Sequence, residues 1–240
     1  MAKYEDTVTF YRSKSPASHR AIVFIHGGAW IDPSNTPHDF DKLAQLLITT
    51  SSHSQPAYSI YGIEYRLSPE VKHPTHLLDV IQNLAQLVQE EQIDELNLWG
   101  HSVGATLIWQ LLTFKSSFHS SLNLIRSKMN RCYLADGIFS LSDLLQEYPT
   151  YDYFVSQAYD KIDDYEDPTD STLYIPVSTQ IHIIHSYSDE LLSLRQSNYL
   201  CQVLQDRQQR FSTYWDDLGK HNDVFEHAKV AEYIIYTMMY

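Results

Sequence analysis

The sequence predicts an α/β fold with a mostly parallel central sheet and helices on both faces. Three observations carry that reading. Strand-like and helix-like segments alternate along the chain. Several of the strand-like segments are continuous apolar runs, the pattern of strands buried on both faces. Of the 240 residues, 43% are hydrophobic and 13% aromatic. That suffices for a sizeable core, in a length that α/β folds often occupy as one domain.

In chain order, Tyr4–Tyr11 alternates weakly and suits an edge strand or hairpin. Ala21–Ile25 (AIVFI) is an apolar, β-branched strand that ends in His26-Gly27-Gly28. Asp39–Leu47 has helical spacing, with Phe40, Leu43, Ala44 and Leu47 on one side. Tyr58–Tyr65 is a second buried strand, closed by Pro69, and Leu77–Val88 an amphipathic helix. Leu96–Trp99 is a short strand running into Gly100-His101-Ser102-Val103-Gly104, and Ala105–Leu112 reads as a buried helix. Strands are predicted at Cys132–Ala135, Ile181–His185 and Phe211–Trp215, and helices over Leu191–Gln205 and Val224–Met239. One interval breaks the rhythm. Between the strands at Cys132 and Ile181 the chain is rich in Tyr, Phe and Asp, which predicts a cap insertion at about residues 137–178 within a single domain of residues 1–240. The acidic run Asp160–Asp170 is expected to be exposed.

Charge excludes some functions. The 17 basic and 30 acidic residues give a net charge of −13, which repels phosphate backbones and anionic lipid, so neither nucleic acid nor membrane is expected as a partner. No apolar run approaches the ~20 residues of a membrane span. The start, Met1-Ala2-Lys3-Tyr4-Glu5-Asp6, lacks the apolar stretch of a secretory signal, and no Asn-x-Ser/Thr acceptor is present. Cys132 and Cys201 are the only cysteines and lie far apart, as expected of buried thiols in a reducing, cytoplasmic setting. The oligomeric state stays open, a homodimer being one option.

Glycine points to the chemistry. There are only seven, well below the ~7% of average usage. Five of them gather at Gly27 and Gly28, at Gly100 and Gly104, and at Gly219. The Gly100–Gly104 segment is a G-x-S-x-G turn between a strand and a helix. Such a turn lifts a serine hydroxyl above the sheet, with small residues on either side relieving the crowding. The N–H of Val103 then points at a developing oxyanion, favoured by the helix N-terminus. His26-Gly27-Gly28-Ala29-Trp30 follows the first buried strand, where exposed N–H groups on a small-residue loop form an anion cradle; Gly28 and Ala29 are the best donors. The competing reading of this loop is a helix entry with no ligand.

HGGAW followed by GHSVG resembles the α/β-hydrolase fold and, within it, the kynurenine formamidases (arylformamidases) with an HGGxW motif, the fungal members most closely. The likeness runs through His26–Phe40, Glu64–Glu70, Gly100–Ala105, Ser186–Leu192 and Asp216–Val224. It implies hydrolysis of N-formyl-L-kynurenine to L-kynurenine and formate, a step of tryptophan degradation toward NAD synthesis.

A serine nucleophile needs a histidine base and a carboxylate that orients it, and this fold uses the chain order Ser…Asp…His. His221 lies in a loop after the last predicted strand, and the resemblance places the catalytic histidine there. His26 and His101 flank the nucleophile turn and suit loop bracing; His185, within an apolar strand, suits a satisfied core residue. The resemblance assigns the triad acid to Asp189. Asp136, at the end of the preceding strand, is the rival, while Asp216 and Asp217 suit capping or solvation and Glu190 a solvated charge. His73 and His76 are spaced like metal ligands, but no third ligand is evident and Pro74 lies between them, so neither a metal nor a cofactor is expected.

The expected partner is a small-molecule aryl formamide. An aryl amine leaves more readily than an alkyl amine, and formyl needs almost no acyl pocket. Trp30 and the cap aromatics are candidates to sandwich an aniline ring, against plain cap packing, and Arg66 to meet the substrate carboxylate, against a structural ion pair. Two other functions fit the same fold: a small-acyl aryl carboxylesterase, and a catalytically silent binding module. Intact Ser102, Asp189 and His221 weigh against the last.

Overall fold

The protein is described by a computed structural model that covers residues 8–12, 18–50, 58–114, 119–165, 174–176 and 178–239. The expectations for residues 4–7, and for residues 166–173 and 177 of the cap, lie outside the described residues.

Seven strands form one sheet: β1 (Val8–Arg12), β2 (Arg20–Ile25), β3 (Ser59–Ile63), β4 (Glu95–His101), β5 (Met129–Ala135), β6 (Gln180–Ser186) and β7 (Phe211–Asp216). Their order is β1-β3-β2-β4-β5-β6-β7. β1 is antiparallel to β3, and every other neighbouring pair is parallel. The helices are α1 (Asp41–Thr50), α2 (Thr75–Glu90), α3 (Val103–Thr113), α4 (His119–Lys128), α5 (Leu141–Glu147), α6 (Asp152–Ala158), α7 (Leu194–Asp206) and α8 (Ala228–Met239).

The alternation of strand side chains divides the core in two. Ala21, Val23 and Ile25 of β2 face one core, with the apolar sides of α2, α3 and α7. Ile22 and Phe24 face the other, with Leu43 and Leu47 of α1 and Val230 and Ile234 of α8. Both faces of the central strands are therefore dry, which is why their sequences read as unbroken apolar runs.

Three of the helices begin later than their apolar spacing predicts. At the first, Thr36 and Asp39 form a capping box around a 3₁₀ turn, Pro37–Phe40, so α1 begins only at Asp41. At the second, Asp189 Oδ1 accepts the N–H groups of Leu191 and Leu192 at 2.8 and 2.9 Å and holds a loop there. Ser193 then caps α7 through Arg195 N. At the third, a 3₁₀ turn, His221–Glu226, precedes α8.

The sequence does not foresee α4, because HSSLNLIRSK is polar except for Leu122, Leu124 and Ile125, of which Leu122 and Ile125 are buried. Between β5 and β6 the chain forms α5, a 3₁₀ turn at Pro149–Tyr151, α6 and a further turn at Ile162–Asp164. Cys132 and Cys201 are buried free thiols. Among the described residues, no helix is long and apolar enough to cross a membrane.

Candidate active site

Ser102 stands between the end of β4 and the start of α3 with φ +54° and ψ −123°. A non-glycine residue in such a conformation costs about 1–3 kcal/mol and persists only where its surroundings impose it. Here they do. The N–H of Ser102 donates to Ala135 O at 2.8 Å, and its carbonyl accepts from Ala105 N at 3.0 Å. The flanking glycines let backbones touch. A Cβ on Gly104 would lie 1.9 Å from Ile25 O, and one on Gly100 2.5 Å from the backbone of Gly104.

The HGGAW loop lies beside this turn: a Cβ on Gly27 would sit 3.0 Å from Ser102 Cβ. Gly28, Ala29 and Trp30 have φ of 94°, 50° and 62°, three left-handed residues in a row. The carbonyl of Gly28 accepts from Ile31 N and Asp32 N at 2.9 Å, and Ser68 N donates to Trp30 O at 2.8 Å. The N–H groups of Gly28, Ala29 and Val103 donate to no acceptor among the described residues. Left without a protein partner, they are free to bind an anion. From beneath, the Tyr65 hydroxyl reaches His26 O at 3.0 Å and Gly27 O at 2.7 Å. The Tyr65 ring stacks on the His26 ring at 4.4 Å, and His26 Nε2 pairs with Glu64 at 2.8 Å.

His221 Nδ1 lies 2.7 Å from Asp189 Oδ2, and both side chains are nearly sealed from solvent. With its Nδ1 proton donated to Asp189, the imidazole keeps Nε2 as a proton acceptor. Burial alone would raise the Asp189 carboxyl, but the bonds from His221 and from the N–H groups of Leu192 and Leu191 outweigh it and hold the group below the usual carboxylate range. The His221 segment is fastened to the nucleophile strand. His101, the residue before Ser102, presents Nε2 to His221 O at 2.9 Å, and the two rings lie 4.5 Å apart. Below them Phe225 meets the His101 and Phe40 rings at 5.0 and 5.7 Å. Burial keeps His101 neutral.

This chain is 47% identical over 224 residues to a kynurenine formamidase of Eremothecium gossypii, covering 90% of this chain and 91% of the relative. It is 43% identical to that of Saccharomyces cerevisiae, covering 96% and 93%. The chain belongs to the kynurenine formamidase family. A family model described as BD-FAE also matches residues 9–204. Solved esterases share the fold: esterase B from Lactobacillus rhamnosis aligns with a TM-score of 0.71 at 16% identity, covering 98% of this chain and 87% of that one. A hyperthermophilic esterase from Pyrobaculum calidifontis aligns at 0.67 and 16%, covering 97% and 79%. The chain is an α/β-hydrolase-fold enzyme of the formamidase type.

In this formamidase fold, Gly28 and Ala29 follow β2, Ser102 and Val103 follow β4, Asp189 follows β6 and His221 follows β7, all at the C-terminal ends of parallel strands. Two other candidates have different surroundings. Arg66 makes a two-pronged ion pair with Asp79, its Nε and Nη2 each at 2.8 Å. The Trp30 ring is fully buried, 5.4 Å from the Tyr159 ring and 6.1 Å from that of Phe154, and so ties the HGGAW loop to the cap. Asp216 pairs with Lys229 and Asp217 with Ser188, both at the protein surface. Glu190 accepts the N–H of His221 at 2.9 Å, a bond its expected solvated role did not foresee. His185 is buried with Ser197 Oγ at 3.0 Å, and His76 with Ser68 Oγ at 3.0 Å. Ser186 was also missed. Its hydroxyl donates to Gly219 O and accepts from Leu218 N, pinning the loop that leads to His221.

Proposed function

We propose that this chain hydrolyses N-formyl-L-kynurenine to L-kynurenine and formate, with Ser102 as nucleophile, His221 as base and Asp189 as the acid that orients it. The observation that carries the reading is the identity of 47% and 43% to kynurenine formamidases over nine-tenths of the chain or more. Ser102 attacks the formyl carbon while His221 Nε2 takes its proton. The carbonyl oxygen becomes an oxyanion that accepts from the N–H groups of Val103, Gly28 and Ala29, each donor being worth about 3 kcal/mol in the transition state. His221 returns the proton to the aryl amine, which leaves as L-kynurenine. Water activated by His221 then releases formate and restores Ser102. In this reading the chain is a single domain whose described residues between about 137 and 178 form a cap over the site. The buried free thiols and the charge of −13 support a cytoplasmic enzyme without nucleic-acid or membrane partners. A homodimer is compatible with it.

The test is to incubate the purified protein with N-formyl-L-kynurenine and detect products by mass spectrometry. Kynurenine and formate in equal amounts are expected. Turnover of p-nitrophenyl acetate with no kynurenine released would assign a carboxylesterase instead.

A further inference from the structure

The end of β5 carries a carboxyl group for which the proposed mechanism has no use. Asp136 follows Ala135, has φ +45° and is fully buried. Its Oδ1 accepts the N–H of Ser186 at 3.0 Å and lies 3.1 Å from His185 Nδ1. Its Oδ2 is sealed from solvent and receives no N–H or O–H from the described residues. Polar side-chain atoms of Asp136, His185 and Asp189 lie within 4.8 Å of one another, and those of Asp136, His101 and His221 form a second group of the same span. Asp136 thus stands where the acid, the base and the bracing histidines meet.

We propose that Asp136 is a positioning residue for this reaction: a proton lodged on its buried carboxyl group links it to Asp189 and fixes the edge that Asp189 turns toward His221. The proposal rests on the reading of Ser102, His221 and Asp189 given above. Two bare carboxylates this close in a dry site repel strongly, and a shared proton turns the repulsion into a short O–H···O⁻ bond. Among the described residues, Oδ2 is the one oxygen of the pair without a donor, so the proton resides there. Asp189 already accepts from Leu191 N, Leu192 N and His221 Nδ1, and its remaining lone pair suits one more donor. The groups facing Asp136 are His185 and the Ser186 N–H from β6, His101 from β4, and Asp189 and His221 from the rim. Burial keeps His185 and His101 neutral, so neither offers Asp136 a compensating charge. In agreement, burial first and then the Asp189 charge push the Asp136 carboxyl well above the usual range.

Infrared spectra of the whole protein at neutral pH test the proton directly. A carboxylic C=O band should be present in the wild type and in Ser102→Ala and be lost in Asp136→Asn. No band removed by that substitution would overturn the proposal. Kinetics provide the second arm. Asp136→Ala should lower kcat about 10- to 100-fold with KM unchanged, the size of effect that a misplaced catalytic group produces. Asp136→Asn, which keeps the shape and an N–H donor, should recover most of that loss, with the acid limb of kcat/KM where the wild type has it. An acid limb displaced to lower pH in Asp136→Asn would report the removal of a negative charge and refute the shared proton. Full activity in Asp136→Ala would refute the positioning. The infrared band is independent of turnover, so it is read whether or not Ser102→Ala abolishes activity.

Discussion

Removing one oxygen atom from Tyr65 tests how the oxyanion loop is held. The Tyr65 hydroxyl has a single proton, placed between the carbonyls of His26 at 3.0 Å and Gly27 at 2.7 Å. Tyr65→Phe keeps the ring that stacks on His26, so little apolar contact is lost. What is lost is the donor to buried carbonyls, at about 1–3 kcal/mol of stability. The same carbonyls belong to the residues just before Gly28 and Ala29. An oxyanion donor is worth about 3 kcal/mol, and a loosened loop forfeits part of that. We therefore expect kcat for N-formyl-L-kynurenine to fall about tenfold, equivalent to about 1.4 kcal/mol, with KM nearly unchanged. Urea unfolding and steady-state kinetics on the same preparation measure the two effects. A variant with wild-type stability and wild-type kcat, or one in which only KM rises, would refute the tether.

Ser102→Ala should remain folded and lose turnover on the scale of ~10⁶; substantial residual activity in the folded variant would remove Ser102 from the mechanism. Gly104→Ala places a methyl 1.9 Å from Ile25 O, so it should misfold or melt far below the wild type, and normal melting would contradict the close approach of α3 and β2. Burial pushes His76 and His182 down to about 4, whereas an unfolded imidazole titrates near ~6.5. Between those values the unfolded chain binds protons that the fold refuses, so stability must fall on acidification, by about 2 kcal/mol for each of the two near pH 5. A urea midpoint identical at pH 7 and pH 5 would count against neutral buried histidines. Arg66→Ala breaks only an exposed ion pair with Asp79, worth about 0–1 kcal/mol, and should leave KM within a few-fold; a rise of about tenfold or more would return Arg66 to substrate binding.

The central strands are legible in the sequence because they are buried on both faces and read as apolar runs, β2 and β4 ending in glycine-flanked turns. The nucleophile turn and the HGGAW loop are legible for the same reason: both need small residues where backbones meet, as the Cβ positions at Gly104 and Gly27 show. α4 was hidden because few apolar side chains, Leu122 and Ile125 with the partly buried Leu124, suffice to seat it. The tethers of the site were hidden for another reason. Tyr65 reaching the carbonyls of His26 and Gly27, Ser186 reaching Gly219, and His101 reaching His221 O join segments far apart in the chain. No local pattern marks a residue that bonds a distant carbonyl. Trp30 illustrates the converse: its place in a motif leaves both a ligand-facing ring and plain cap packing open, and the ring packs on Tyr159 and Phe154 of the cap.

Covalent labelling with a fluorophosphonate, followed by peptide mass mapping, tests most directly that Ser102 is activated by His221 and Asp189. The adduct should appear on the peptide that carries Ser102, slow markedly in His221→Ala and Asp189→Ala, and be suppressed by N-formyl-L-kynurenine. Labelling elsewhere, or a folded wild type that takes up no label at all, would contradict the account.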